Sequence, residues 1–115
     1  MNIIVCKFGG TSVASSEKLQ QVVKILKLNR NRRCVVLSAP GKAADAPVKV
    51  TDMLIAIVNK SLMRRSCAAE LKELKQRFHA IYDPLNVPQA KIDEVLTDLE
   101  KRQKSRHDPK QQYRL

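Results

Sequence analysis

Two short apolar runs flank a stretch of helical period, and this arrangement constrains the fold more than any other feature of the chain. The first run is Ile3 to Phe8, and the second is Cys34-Val35-Val36-Leu37. Each is nearly continuous rather than alternating, the pattern of a strand covered on both faces. Between them Leu19, Val22, Val23 and Leu26 recur at i, i+3, i+4 and i+7, one face of an α-helix. Ser15 or Ser16 offers an N-cap with Glu17 in the first turn, and Asn29-Arg30-Asn31-Arg32 closes the helix. Strand, helix and strand within about 35 residues make a βαβ unit with parallel strands and a right-handed crossover.

The functional loops of such sheets lie at the carboxyl ends of the strands. The first strand runs into Lys7-Phe8-Gly9-Gly10-Thr11-Ser12-Val13, and the second into Ser38-Ala39-Pro40-Gly41-Lys42. Parallel pairing brings both loops to one edge. Backbone N–H groups at a glycine turn, the positive end of the following helix and the Lys7 ammonium together favour an anion, phosphate above all. The plainer reading of the glycine pair is a tight turn that needs positive φ. This is not a Walker P-loop, because Lys42 is followed by Ala43 and position 36 is Val; no G-x-G-x-x-G occurs either.

Residues 43–47 read as loop. Thr51 or Asp52 then stands as the cap of a helix carrying Leu54, Ile55, Val58 and Leu62. Leu71, Leu74, Phe78, Ile81 and Tyr82 mark a third helix, which Asp83-Pro84 breaks. Pro88 opens a fourth, with Ile92, Val95, Leu96 and Leu99 on one face. The apolar period ends near Lys101, so residues 101–115 read as a basic tail, disordered or unrelated to what precedes it. The expectation is two strands and four helices. Two parallel strands leave both sheet edges unpaired. The expected fold class is therefore α/β, and residues 1–100 read as the first part of a larger domain with a mostly parallel sheet.

A net charge of +11, from 22 Lys+Arg against 11 Asp+Glu, attracts polyanions or small anionic substrates. An aromatic content of 3% and the lack of a recognised binding motif count against a basic nucleic-acid-binding module. Cys6, Cys34 and Cys67 show no C-x-x-C spacing, so no zinc site is expected. Cys6 and Cys34 lie within apolar runs and read as buried free thiols of a reducing compartment. No run approaches the ~20 apolar residues of a membrane span, and no signal-peptide pattern occurs, so a cytoplasmic location is expected. His79 reads as structural or exposed, and His107 falls in the tail.

Lys7-Phe8-Gly9-Gly10-Thr11-Ser12-Val13 resembles the N-terminal signature of aspartate kinases, within the wider group of amino-acid kinases. The stretch from Val35 to Lys42, followed by Val50-Thr51-Asp52-Met53-Leu54, resembles that family's second-strand loop and the helix after it. Arg77-Phe78-His79-Ala80-Ile81 through Leu85 resembles the helical segment that follows. The resemblance covers residues 2 to 100. It implies a three-layer α/β/α sandwich of the amino-acid kinase type, of which this chain would be an N-terminal fragment. It further implies transfer of the ATP γ-phosphate to the side-chain carboxylate of L-aspartate, giving 4-phospho-L-aspartate for lysine, threonine and methionine biosynthesis. Lys7 would be catalytic. Lys7, Gly9, Gly10, Thr11 and Ser12 would hold phosphate, Ser38 and Thr51 would line the aspartate site, and Lys42 and Asp52 would stand nearby. ATP and Mg2+ are the implied cofactors, although the sequence shows no dedicated metal ligands.

The family's later serine-glycine-glutamate segment has no counterpart in Ser105 to Leu115, which contains no glutamate. Its substrate-clamping arginine, its catalytic aspartate and most of its nucleotide pocket have none either. A shifted reading frame near residue 105 fits that stretch. The chain alone is therefore expected to be inactive. The partner readings are a homo-oligomer or association with a longer kinase subunit, with neither membrane nor nucleic acid involved.

Overall fold

The computed structural model describes residues 2–105. Strand β1 (Ile4–Phe8) leads through a 3-10 turn (Gly10–Val13) into helix α1 (Ser16–Lys27). Strand β2 (Arg32–Leu37) follows, then α2 (Val50–Leu62), α3 (Ala68–Tyr82), a second 3-10 turn (Asp83–Leu85) and α4 (Gln89–Ser105). Helix α4 continues past Lys101, where the apolar period ends, through Ser105. The rest of the expected tail, including His107, lies outside the described residues.

The two strands pair in parallel, as the βαβ pattern predicts, with Val5 facing Cys34 and Phe8 facing Leu37. The register slips by one residue between Ile4, which faces Arg32, and Val5. Ser15 is the N-cap of α1, its Oγ accepting from the Lys18 N–H at 3.2 Å, and Glu17 lies in the first turn. At the far end of α1 the Arg32 guanidinium donates to the Ile25 carbonyl, and the Asn29 side chain accepts from the Asn31 N–H at 2.9 Å. These contacts turn the chain out of the helix and into β2.

The core lies between helices rather than on the sheet. Val50 and Ile57 of α2, Cys67 before α3, Leu74 of α3, and Ile92 and Leu96 of α4 form one buried cluster. Leu54, Leu71, Phe78, Tyr82 and Leu99 pack around it. The helical periods identify the inner faces of α1, α3 and α4, although Val23 on α1 and Val95 on α4 stand exposed. On α2 the expected Ile55, Val58 and Leu62 are exposed, and the buried face carries Val50, Ile57 and Ser61 instead. Asn86 ends the turn before α4 with φ 59°, a left-handed conformation that asparagine tolerates.

Three further expectations are corrected. Both strands read as covered on two faces, yet Val5 is 65% exposed, Val36 51% and Leu37 54%. The described residues supply no further strand or layer to cover them. For the same reason Cys34 is exposed and Cys6 only half-buried; Cys67 is the buried thiol, its Sγ 3.4 Å from the Ile57 carbonyl. Neither Thr51 nor Asp52 caps α2. The cap is Lys49, and Thr51 and Asp52 lie inside the first turn.

Candidate phosphate- and substrate-binding loops

The loops after β1 and β2 leave the same sheet edge and meet backbone to backbone. The Ser38 N–H donates to the Phe8 carbonyl at 3.1 Å, which extends the parallel ladder past the strands. The Gly41 N–H then donates to the Gly10 carbonyl at 2.8 Å. A Cβ placed on Gly41 would stand 2.8 Å from the Gly10 carbonyl carbon, and one on Gly10 would stand 3.2 Å from the Ala39 oxygen. Glycine is needed at position 41, where a side chain would clash with main chain, whereas at Gly10 the second loop leaves only a tight fit.

None of the three glycines has positive φ, so the tight-turn reading does not explain them. Gly9 differs from Gly10. Its backbone is extended (φ −73°, ψ 175°), and a Cβ there would meet nothing within 4 Å. Gly9 therefore borders open space, where an anion can approach the backbone, whereas Gly10 is packed against the second loop. The turn is closed by the Ser12 N–H donating to the Gly9 carbonyl at 3.1 Å.

The second loop is tied in turn to α2. The Val50 N–H donates to the Pro40 carbonyl at 3.0 Å, so the amino end of α2, with Thr51 and Asp52, starts directly behind this loop. Residues 43–46 fold back on themselves through paired Ala43 and Ala46 backbone bonds of 2.9 and 3.1 Å. The glycine turn, the Ser38–Lys42 loop and the start of α2 thus form one continuous rim. Lys7, Thr11, Ser38, Lys42, Thr51 and Asp52 are exposed along it, and Ser12 is half-buried. Lys7 sits opposite Val36 in the strand register, two residues on from exposed Val5. The arrangement offers backbone N–H groups, hydroxyls and two ammonium groups to an anion at an open edge.

Sequence reasoning missed Arg77. This residue of α3 is only 8% exposed. Its Nη2 donates to the Gly41 carbonyl at 2.7 Å and the Ala14 carbonyl at 3.0 Å. Its Nη1 donates to the Val48 carbonyl at 3.2 Å and the Ala46 carbonyl at 3.3 Å. The signal was available: Arg77 stands three residues after Leu74 and four before Ile81, a charged residue on an otherwise apolar helical face. On the same helix Tyr82 has its pKa raised by burial, against the opposing pull of the Arg77 cation. The Phe78 and Tyr82 rings stand 6.0 Å apart at 56°. Away from the loops, at the α2–α3 contact, Lys60 holds the Glu70 carboxyl below the usual carboxylate range across a 2.5 Å ion pair. Among the described residues no group of three or more His, Cys, Asp or Glu side chains gathers to hold a metal.

Comparison with known proteins matches this fold. The profile of the Amino acid kinase family matches residues 2–109. Aspartokinase 3 of Bacillus subtilis is 37% identical over 95 residues, which are 83% of this chain and 21% of that protein. The bifunctional aspartokinase/homoserine dehydrogenase of Haemophilus influenzae is 27% identical over 89 residues, 77% of this chain and 10% of that one. The crystal structure of Clostridium acetobutylicum aspartate kinase superposes with a TM-score of 0.77 at 29% identity, covering 88% of this chain and 24% of that one. Escherichia coli aspartokinase III, solved with aspartate and ADP, shares the fold at 24% identity and a TM-score of 0.69, over 94% of this chain and 23% of its own. The chain belongs to the amino acid kinase family, and the relatives it is similar to here are aspartate kinases. It spans about a fifth of the length of the Bacillus relative.

Proposed function

We propose that the rim formed by the glycine turn and the Ser38–Lys42 loop is part of an aspartate kinase site, which moves the γ-phosphoryl group of ATP onto the side-chain carboxylate of L-aspartate. The observation that carries this reading is the junction of the two loops at Gly10 and Gly41, with Gly9 open to approach. The similarity to aspartokinase 3 supports the acceptor. In such a transfer the bond from the γ-phosphorus to ADP breaks as a carboxylate oxygen bonds to it. Negative charge spreads over the three remaining oxygens, so catalysis is mostly positioning and electrostatics.

In this reading the Lys7 ammonium neutralises charge on the phosphoryl group. The Gly9 to Ser12 turn presents N–H and hydroxyl donors to phosphate oxygens. Ser38 and Thr51, on the second loop and the first turn of α2, hold the aspartate acceptor, with Lys42 and Asp52 beside them. In this reading the phosphates of ATP approach the rim at the open side of Gly9. The described residues gather no ligand cluster for Mg2+, and no step is assigned to it. We place the reaction in lysine, threonine and methionine biosynthesis, in the cytoplasm.

A second reading has an observation of its own. The open sheet, with Val5, Val36 and Leu37 uncovered, favours association with a longer kinase subunit or with a second copy over turnover by the chain alone. The test is trapping of aspartyl phosphate as its hydroxamate, with inorganic triphosphate binding measured alongside. Wild type is expected to bind triphosphate and to give no hydroxamate by itself. Lys7→Met should weaken binding about tenfold, the scale of one lost charge-assisted contact. A folded wild-type chain that ignores triphosphate would overturn the anion rim, and hydroxamate formed by the chain alone would overturn the inactivity.

A further inference from the structure

We infer that Arg77 is the positioning residue of this rim: a buried fork on α3 that fixes how far the glycine turn stands from the second loop. Its guanidinium collects four backbone carbonyls from three separate segments, Ala14 after the first turn, Gly41 in the second loop, and Ala46 and Val48 ahead of α2. Carbonyl oxygens carry partial negative charge, and four aimed at one buried point repel one another unless a cation sits among them. A planar guanidinium with N–H bonds in fixed directions can serve all four, and a lysine ammonium cannot. The fork stands on a helix whose neighbouring Leu74 and Ile81 are buried, at 0% and 2% exposure. Arg77 is itself buried beneath the loops, so it acts through them and not on a ligand.

The partners explain why this matters for the rim. Gly41 accepts from Arg77 through its oxygen and donates to Gly10 through its nitrogen, so one residue links the fork to the glycine turn. Val48 lies two residues before the start of α2, so the same fork sets where Thr51 is presented. The assignment concerns loop geometry and stands whether or not aspartate is the acceptor. Only its ligand arm rests on the proposed phosphate reading.

The experiment is amide hydrogen exchange on the full chain, wild type and Arg77→Lys, with inorganic triphosphate as the probe ligand. In wild type the amides of Gly41, Ala46 and Val50 should open with one shared protection factor, because a single side chain ties their segments together. In Arg77→Lys these three should exchange at least about tenfold faster, while the central amides of α3 and α4 change less than about threefold. Triphosphate binding should weaken with them, and Arg77→Met should repeat the pattern more strongly. Unchanged loop protection in Arg77→Lys would overturn the assignment. So would equal loss in loops and helices, which marks an ordinary core residue. If both variants fail to fold, the wild-type measurement decides: three unrelated protection factors would overturn the fork. A wild type that binds no triphosphate yet shows the exchange pattern would sink the phosphate reading and leave the fork standing.

Discussion

The helical half and the sheet half of this molecule use the same residues to opposite effect. Leucine, isoleucine and valine are buried between α2, α3 and α4, with Leu74 at 0% exposure. The same residue types in β1 and β2 lie open to solvent, with Val5 the most exposed of them. The difference is in layers rather than composition. Helix α3 packs against both α2 and α4, and residues of all three share one buried cluster. Among the described residues the strands have one neighbour strand each, whereas their near-continuous apolar sequence is suited to cover on both faces. An apolar run therefore records what a strand needs, and the surrounding structure decides whether the need is met.

The largest expected effect sharpens this contrast. Leu74→Ala should destabilise the chain by about 2–5 kcal/mol, the cost of a cavity in a packed core. Val36→Ala should change stability by less than about 0.5 kcal/mol, as exposed substitutions do. Denaturant unfolding at several protein concentrations checks both. A large Val36→Ala effect that grows with concentration would show that copies cover one another's sheets, and the two halves would then be alike in solution.

A second contrast lies within the rim. Gly41→Ala puts a methyl group 2.8 Å from the Gly10 backbone, where the clash is with main chain and no side chain can yield. It should cost about 1–3 kcal/mol, the usual range for overpacking. It should also part the two loops and reduce triphosphate binding. Gly9→Ala meets nothing and has negative φ, so its stability should fall by under about 0.5 kcal/mol. Any effect of Gly9→Ala on triphosphate binding then reports direct contact with the anion. Equal losses from the two variants would mean that both glycines are structural. Gly10→Val, which looks from sequence like a block to the anion, tests the loop junction instead, because Gly10 faces Ala39 and Gly41.

Most of the fold was legible in sequence for physical reasons. A 3.6-residue period survives whatever surrounds a helix, so the Val22, Leu74 and Ile92 faces could be read directly. Ser15 was legible because a capping hydroxyl acts within its own turn. Parallel pairing followed from the length of the crossover. The burial of β1 and β2 was not legible, since it depends on distant chain. The capping of α2 was misread because Thr51 and Asp52 have the right chemistry but stand past Lys49. Of the site, the loops and their common edge were legible, whereas the contact between Gly10 and Gly41 was not. The place of Arg77 on a buried face was legible from Leu74 and Ile81, but its partners were not, because they are main-chain carbonyls 29 to 63 residues away.

The smallest expected effect concerns a bond that the helical half has and the sheet lacks. Lys60 of α2 and Glu70 of α3 pair at 2.5 Å, and the bond holds the Glu70 pKa below its ordinary 4.5. A depressed carboxyl pKa stabilises the fold above the unfolded value and ceases to do so as pH falls through the folded value. Wild type should therefore be slightly more stable than Glu70→Gln above about pH 4.5, and the gap should close on acidification. The pair is solvent-screened, so thermal unfolding should separate the two chains by a few degrees at most, and by less at high salt. Lys60→Met should shrink the pH-dependent part of the gap, leaving the share due to the backbone hydrogen bond at Glu70. A gap that persisted at low pH would mean that Glu70 acts through packing, and the tie between α2 and α3 would rest on the Ile57–Leu74 core alone.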